Sequence, residues 1–259
     1  MSKQPIGIFD SGVGGTSIWK AIHVLLPKEN TIYLADSINA PYGPKGKEAI
    51  IALSKKNTEY LLNQNCKLIV VACNTATTNA ISYLRQKYDV PFIGIEPAIK
   101  PAALQTKTKA IGILATKGTL SSELFHNTSQ LYSNGIKVIE QEGEGIVQLI
   151  ESGNINSSQM KALLTTYLKP MLKANIDYLV LGCTHYPYLI PQLLQLLPKQ
   201  VKIIDSGEAV AKQTKAVLEQ HNILNTLIIK PEIKFYSNAN PEVMKDLLDN
   251  GFEVDYSDF

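Results

Sequence analysis

A chain of 259 residues that is 45% hydrophobic and 19% charged has the profile of a soluble globular protein, long enough for one large domain or two ordinary ones. Its net charge of +2 is nearly balanced, and no lysine/arginine cluster is interleaved with aromatics. Neither nucleic acid nor an anionic membrane is therefore indicated as a partner.

The start of the chain enters a strand-like run at once and lacks the apolar core and cleavage site of a secretory signal. No apolar stretch approaches the length needed to cross a bilayer. The three cysteines, Cys66, Cys73 and Cys183, are odd in number and widely spaced, so they make neither a disulfide framework nor a zinc site. A reducing cytoplasm, with thiols available for chemistry and no metal, is the expectation.

Taken in order, the first strand is expected at Ile6–Phe9, followed by Asp10-Ser11-Gly12-Val13-Gly14-Gly15. This is not the dinucleotide fingerprint, because position 17 is Ser17, and no Gly-Lys-Ser/Thr follows to make a P-loop. It is either a tight strand-to-helix turn or a place where backbone approaches a ligand, with Asp10 and Ser11 in contact. A strand at Thr31–Ala35 leads to Asp36 and to Pro41-Tyr42-Gly43-Pro44, a turn near the strand end. A helix over Lys47–Asn63 precedes the wholly apolar strand Leu68–Ala72, which breaks at Cys73-Asn74-Thr75 into a helix over Thr77–Lys87. Further strands are expected at Phe92–Ile95, Ala110–Leu114, Lys137–Glu140, Tyr178–Leu181 and Val201–Ile204, with a helix at Ser158–Leu172. The tail after Ser206 carries helix-forming segments at Gly207–His221 and Pro241–Asn250.

The second set of strands repeats the first. Ile6-Gly7-Ile8 matches Ile111-Gly112-Ile113, Thr31–Ala35 matches Ile136–Glu140, Lys67–Cys73 matches Asp177–Cys183, and Val90–Ile93 matches Val201–Ile204, at offsets of 105 to 111 residues. The expected fold is α/β: two similar doubly wound domains with mainly parallel sheets and the active site in the cleft between them. Domain one is residues 1–98 plus 207–259, discontinuous because the tail packs back on the first half; domain two is residues 99–206.

Cys66 reads as a small buried apolar residue. Cys73 and Cys183 differ because each ends a strand at equivalent positions of the repeat, where loops carry function. Free N–H groups and the helix dipole would stabilise a thiolate there and lower its pKa modestly. Thr75 and Thr184 can hydrogen-bond a thiolate or a substrate oxygen. Two thiols facing one cleft suit inversion of a carbon centre: a thiolate abstracts the proton on one face while the opposite thiol donates one, and the roles exchange in reverse. His185, two residues after Cys183, can assist proton transfer or hold a carboxylate.

Together these segments resemble the glutamate racemase family, within the cofactor-independent aspartate/glutamate racemases. The matching stretches are GIFDSGVGG at 7–15, PYG at 41–43, ACNTAT at 72–77, GIEPA at 94–98 and GCTHYP at 182–187. The resemblance implies interconversion of L- and D-glutamate without pyridoxal phosphate, supplying D-glutamate for peptidoglycan. It implies that Cys73 deprotonates the D-enantiomer and Cys183 the L-enantiomer, with Asp10 and His185 as auxiliary acid/base groups. It further implies that Asp10-Ser11, Tyr42-Gly43, Asn74-Thr75, Thr184 and His185 hold the substrate. Asp36 and Glu151 match acidic positions proposed to influence the site. A homodimer is expected from the family. Relatives activated by a cell-wall precursor carry an N-terminal extension, and no such activation is expected of this chain.

Three alternatives remain at this level. The substrate could be aspartate or a broader set of amino acids, since one methylene is worth only about 1–3 kcal/mol in many pockets. A two-lobed amino-acid binder would suit the lobes but leave the paired cysteines without purpose. A cysteine hydrolase could use Cys183 and His185 but leaves Cys73 unexplained.

Overall fold

The computed structural model describes residues 2–132, 134–227 and 230–259. In chain order the elements are β1 (Ile6–Asp10), α1 (Thr16–Leu25), β2 (Thr31–Ala35), α2 (Lys47–Asn63), β3 (Leu68–Val71), α3 (Asn74–Lys87), β4 (Phe92–Gly94) and α4 (Ile99–Gln105). They continue as β5 (Ala110–Ala115), α5 (Lys117–Leu120), α6 (Glu123–Tyr132), β6 (Lys137–Glu142), α7 (Ile146–Glu151), α8 (Ser158–Lys173), β7 (Tyr178–Gly182) and α9 (Ile190–Leu196). The last are β8 (Lys202–Ile204), α10 (Gly207–Gln220), β9 (Ile233–Ser237), α11 (Glu242–Leu247) and β10 (Asp255–Tyr256).

The strands form two sheets, ordered β10-β9-β2-β1-β3-β4 and β6-β5-β7-β8. Every pairing is parallel. The order β2-β1-β3-β4 in one sheet is reproduced as β6-β5-β7-β8 in the other, so the internal repeat is a repeat of topology. The central strands β1, β3, β5 and β7 are buried along their whole length, which is why they read as unbroken apolar runs. One apolar cluster runs from Ile8 and Val70 of the first sheet to Leu179 and Leu181 of the second and joins the two.

The tail returns to the first sheet. β9 pairs with β2 from Thr31↔Ile233 to Ala35↔Ser237, and α10 packs along α1. Buried Lys67 helps fasten it: its Nζ lies 2.6 Å from Glu29 Oε2 and donates to the Ile223 carbonyl at 2.9 Å, while Glu29 Oε1 accepts the Asn225 N–H at 2.7 Å. The tail was expected to supply helices; β9 and β10 lie beyond that expectation. β9 has no counterpart in the second sheet, so a search by repeat passes over it. α3 begins at Asn74, three residues earlier than its expected start at Thr77, because Cys73 takes the N-cap position. No helix among the described residues is long and apolar enough to cross a membrane.

Candidate active site

Parallel strands end together, so β1, β2, β3, β5 and β7 deliver the loops that follow them to one region. Cys73 and Cys183 both line one cavity there, with Ser11, Pro41, Tyr42, Gly43, Asn74, Thr75, Thr116, Val147, Thr184 and His185. It is tight, about 10 Å³, roughly the room of one water molecule.

Cys73 caps α3. Its Sγ accepts the Ala76 N–H at 3.4 Å, and its thiol donates to Ser11 Oγ at 3.5 Å. The expectation of a modestly lowered thiol pKa does not hold here. Burial pushes the Cys73 thiol well above its ordinary value, and the Asp10 carboxylate adds to this; the Ala76 N–H and Ser11 oppose it but are outweighed. Negative charge at Cys183 also raises Cys73. A thiolate at Cys183 therefore favours a thiol at Cys73. Cys66 sits apart, its thiol raised by burial to about 12, in keeping with a packing role.

Cys183 directly follows β7 and precedes a short helical turn over Tyr186–Leu189. Its neighbour is His185, whose Nδ1 lies 3.7 Å from Sγ. On the other edge of the ring, Nε2 meets Glu151 Oε1 at 2.5 Å. Burial alone would lower the imidazole, but hydrogen bonds to Cys183 and Glu151, and their negative charges, hold it well above its ordinary value. Glu151 accepts in addition the Val13 N–H at 2.8 Å and the Ser37 hydroxyl at 2.8 Å. The glycine loop passes directly over this pair: a Cβ on Gly12 would lie 1.9 Å from Glu151 Oε1, and one on Gly14 would lie 2.2 Å from His185 Nδ1.

Asp10, fully buried at the end of β1, stands behind the wall and not on it. Its carboxylate accepts the Ser11 N–H at 2.6 Å, the Gly15 N–H, and the Thr184 hydroxyl at 3.0 Å. Burial raises its pKa, and the Glu151 charge raises it further, against the opposing His185 charge. Asp36 and Glu151 are likewise off the wall: Asp36 accepts the Tyr42 phenol, and Glu151 stands behind His185. The remaining expected residues, Ser11, Tyr42, Gly43, Asn74, Thr75 and Thr184, all line the cavity. Both amide atoms of Asn74 are buried, and among the described residues neither has a hydrogen-bond partner, which suits a side chain on the wall of a polar site.

Sequence reasoning missed Thr116 and Thr119. Thr116 lines the cavity, and its Oγ1 lies 2.8 Å from Thr75 Oγ1 and 3.0 Å from Thr119 Oγ1, a cluster of hydroxyls from both sheets. The signal was present: the offset of 105 that lays Ile6 on Ile111 lays Ser11 on Thr116. Pro41 and Val147 were also missed; an apolar wall residue carries no sequence mark of its role. Among the described residues no group of His, Cys, Asp and Glu could hold a metal ion.

Residues 12–214 match the model of the Asp/Glu/Hydantoin racemase family. The glutamate racemase of Herpetosiphon aurantiacus is 43% identical over 241 residues, covering 93% of this chain and 95% of that one. The glutamate racemase of Pseudomonas putida strain W619 is 42% identical over 245 residues, with 94% and 92% covered. Among solved structures, glutamate racemase isoform RacE1 of Bacillus anthracis superposes with a TM-score of 0.88 at 30% identity, covering 100% of this chain and 98% of that one. The Escherichia coli glutamate racemase, solved with L-glutamate and the activator UDP-MurNAc-ala, gives 0.86 at 34% identity, with 98% and 97% covered. Sequence, fold and the material of the cavity agree, and the chain belongs to the glutamate racemases of the Asp/Glu/hydantoin racemase family.

Proposed function

We propose that the protein interconverts L- and D-glutamate by a two-base reaction in which Cys73 and Cys183 act on opposite faces of Cα, without a cofactor. The observation that carries this reading is the placement of both sulfurs on the wall of one narrow cavity, where negative charge at Cys183 raises the Cys73 thiol. A thiolate takes the Cα proton, the electron pair spreads into the carboxylate, and the opposite thiol returns a proton to the other face. A positively charged His185 beside Cys183 is the partner a Cys183 thiolate needs, while burial keeps Cys73 as the thiol. That arrangement is ready to deprotonate one enantiomer, assigned by the family resemblance as L-glutamate; the reverse assignment of charge serves D-glutamate. Ser11, Tyr42–Gly43, Asn74, Thr75, Thr116 and Thr184 supply the polar wall for the substrate, and Asp10 holds Ser11 and Thr184 in place.

The reading extends to two units, residues 1–98 with 207–259 and residues 99–206, meeting at the substrate. It also takes the protein to be a homodimer in the cytoplasm, making D-glutamate for peptidoglycan. Three unpaired cysteines suit a reducing compartment.

The test is chiral analysis of glutamate incubated with purified, cofactor-free protein in heavy water. Wild type should give a racemic mixture deuterated at Cα, with aspartate a far poorer substrate. Cys73→Ser and Cys183→Ser should each lower racemisation at least about a thousandfold. A single-cysteine variant with full turnover in both directions would end the two-base scheme.

A further inference from the structure

The buried carboxylate of Asp36, just past β2, gathers four side-chain donors. Oδ1 accepts from Asn39 Nδ2 at 2.8 Å and from Asn238 Nδ2 at 2.6 Å; Oδ2 accepts from the Tyr42 phenol and from Asn57 Nδ2 at 3.5 Å. Three of these residues are local or belong to α2, but Asn238 comes from the tail, one residue beyond β9. Its backbone N–H donates to the Ala35 carbonyl at 3.3 Å, and its Oδ1 accepts the Ile38 N–H at 3.0 Å. Both ends of one buried amide are thus spent on the turn that starts at Asp36.

That turn carries two lines into the site. At its far end, Tyr42 and Gly43 line the cavity. Near its start, Ser37 Oγ donates to Glu151 Oε2 at 2.8 Å, and Glu151 in turn holds His185 beside Cys183. We propose that Asn238 is a positioning residue for the reaction: from the tail, its amide fixes the turn from Asp36 to Gly43, and through it aims Tyr42–Gly43 at the cavity and Ser37 at Glu151. Asn238 does not itself line the cavity. The inference rests on the reading of that cavity as the glutamate site.

The chemistry favours asparagine. One planar amide serves a carboxylate with its donor and an N–H with its acceptor, which neither alanine nor aspartate can do. Alanine leaves both partners short of a bond in a buried network; aspartate sets a second carboxylate against Asp36. Because Asp36 keeps three other donors, the loss should loosen the turn without unfolding the chain.

The experiment compares wild type, Asn238→Ala and Asn238→Asp with Asn240→Ala. Asn240 lies in the same tail segment, where its Oδ1 accepts the Glu242 N–H at 3.1 Å, away from Asp36. Expected for Asn238→Ala is a KM for both enantiomers raised about tenfold, kcat lowered no more than about threefold, and a melting temperature within a few degrees of Asn240→Ala. Asn238→Asp should raise KM further, and Asn240→Ala should match wild type in both constants. An unchanged KM in Asn238→Ala, an equal rise in Asn240→Ala, or failure of Asn238→Ala to fold would each overturn the proposal. If wild type itself does not racemise glutamate, the functional reading falls with it; an active wild type with an unmoved Asn238→Ala removes this inference alone.

Discussion

Gly12 and Gly14 are glycines because the side chains of Glu151, at the end of α7, and His185, in the loop after β7, lie where their Cβ atoms would be. From sequence the loop is either a tight strand-to-helix turn or a place where backbone approaches a ligand; in the structure it packs against Glu151 and His185, reached across more than a hundred residues of sequence. The His185 ring has nowhere to retreat, since Glu151 Oε1 is 2.5 Å from one nitrogen and the Cys183 sulfur 3.7 Å from the other. A methyl at Gly14, 2.2 Å from Nδ1, must therefore displace the ring. In the proposed reaction, where His185 serves Cys183, a displacement near an ångström should cost about a hundredfold in rate. Gly14→Ala should lower kcat/KM by about that factor while circular dichroism shows a folded protein, and retention of more than half the activity would show that the loop does not set the imidazole.

At the scale of elements, the strands and the two strand-end cysteines were legible because fully buried parallel strands write continuous apolar runs and stop abruptly where polar loops begin. Leu68–Val71 and Tyr178–Gly182 are the plainest examples. β9 was harder: its alternation of Ile233, Phe235 and Ser237 with Lys234 and Tyr236 is that of a strand nearer the sheet edge, and it lies outside the repeat. The roles of Asp36 and Glu151 depend on contacts with residues distant in sequence, which no local pattern records. Asp177, at the entrance to β7, makes such contacts too: it accepts the Thr106 hydroxyl at 2.6 Å and the N–H groups of Lys107 and Thr108 at 2.6 and 3.2 Å. Burial alone would raise its carboxyl, but these donors outweigh it and hold it below the ordinary aspartate value. A carboxylate depressed in the folded state adds stability that is complete above its unfolded pKa and disappears as pH falls through the folded one. Asp177→Asn should cost about 1–2 kcal/mol near neutrality. In urea titrations the gap to wild type should narrow as the pH falls through and below the ordinary aspartate range; a gap independent of pH would mean that the charge contributes nothing.

For the whole molecule, a cavity of about 10 Å³ cannot admit glutamate unless its walls separate. The side that can part is set by what crosses between the sheets. At the back, Thr16 Oγ1 lies 2.6 Å from the Tyr188 phenol, Ser17 donates to the Thr184 carbonyl at 2.9 Å, and the shared apolar cluster is continuous. At the front rim the contacts include the Thr75–Thr116 hydroxyls, Asn79 Nδ2 to the Gly118 carbonyl at 3.3 Å, and Gly43 against Gly118, with no apolar cluster among the described residues shared across them. Larger clefts of about 240 and 720 Å³ flank this rim, and both include Gly43. Separation at the rim with the back as hinge would join them to the cavity lined by Cys73 and Cys183. A Cβ on Gly118 would sit 2.9 Å from the Gly43 carbonyl oxygen and 2.7 Å from Thr75 Cγ2. Backbone cannot rotate aside as a side chain does, so the added methyl must hold the rim apart. Gly118→Ala should therefore bind glutamate about tenfold more weakly, near 1.4 kcal/mol, with kcat changed less than KM because the two sulfurs are untouched. If the variant binds as tightly as wild type, the rim is not where the molecule opens, and the motion must be sought at the back, where breaking the apolar cluster would cost far more.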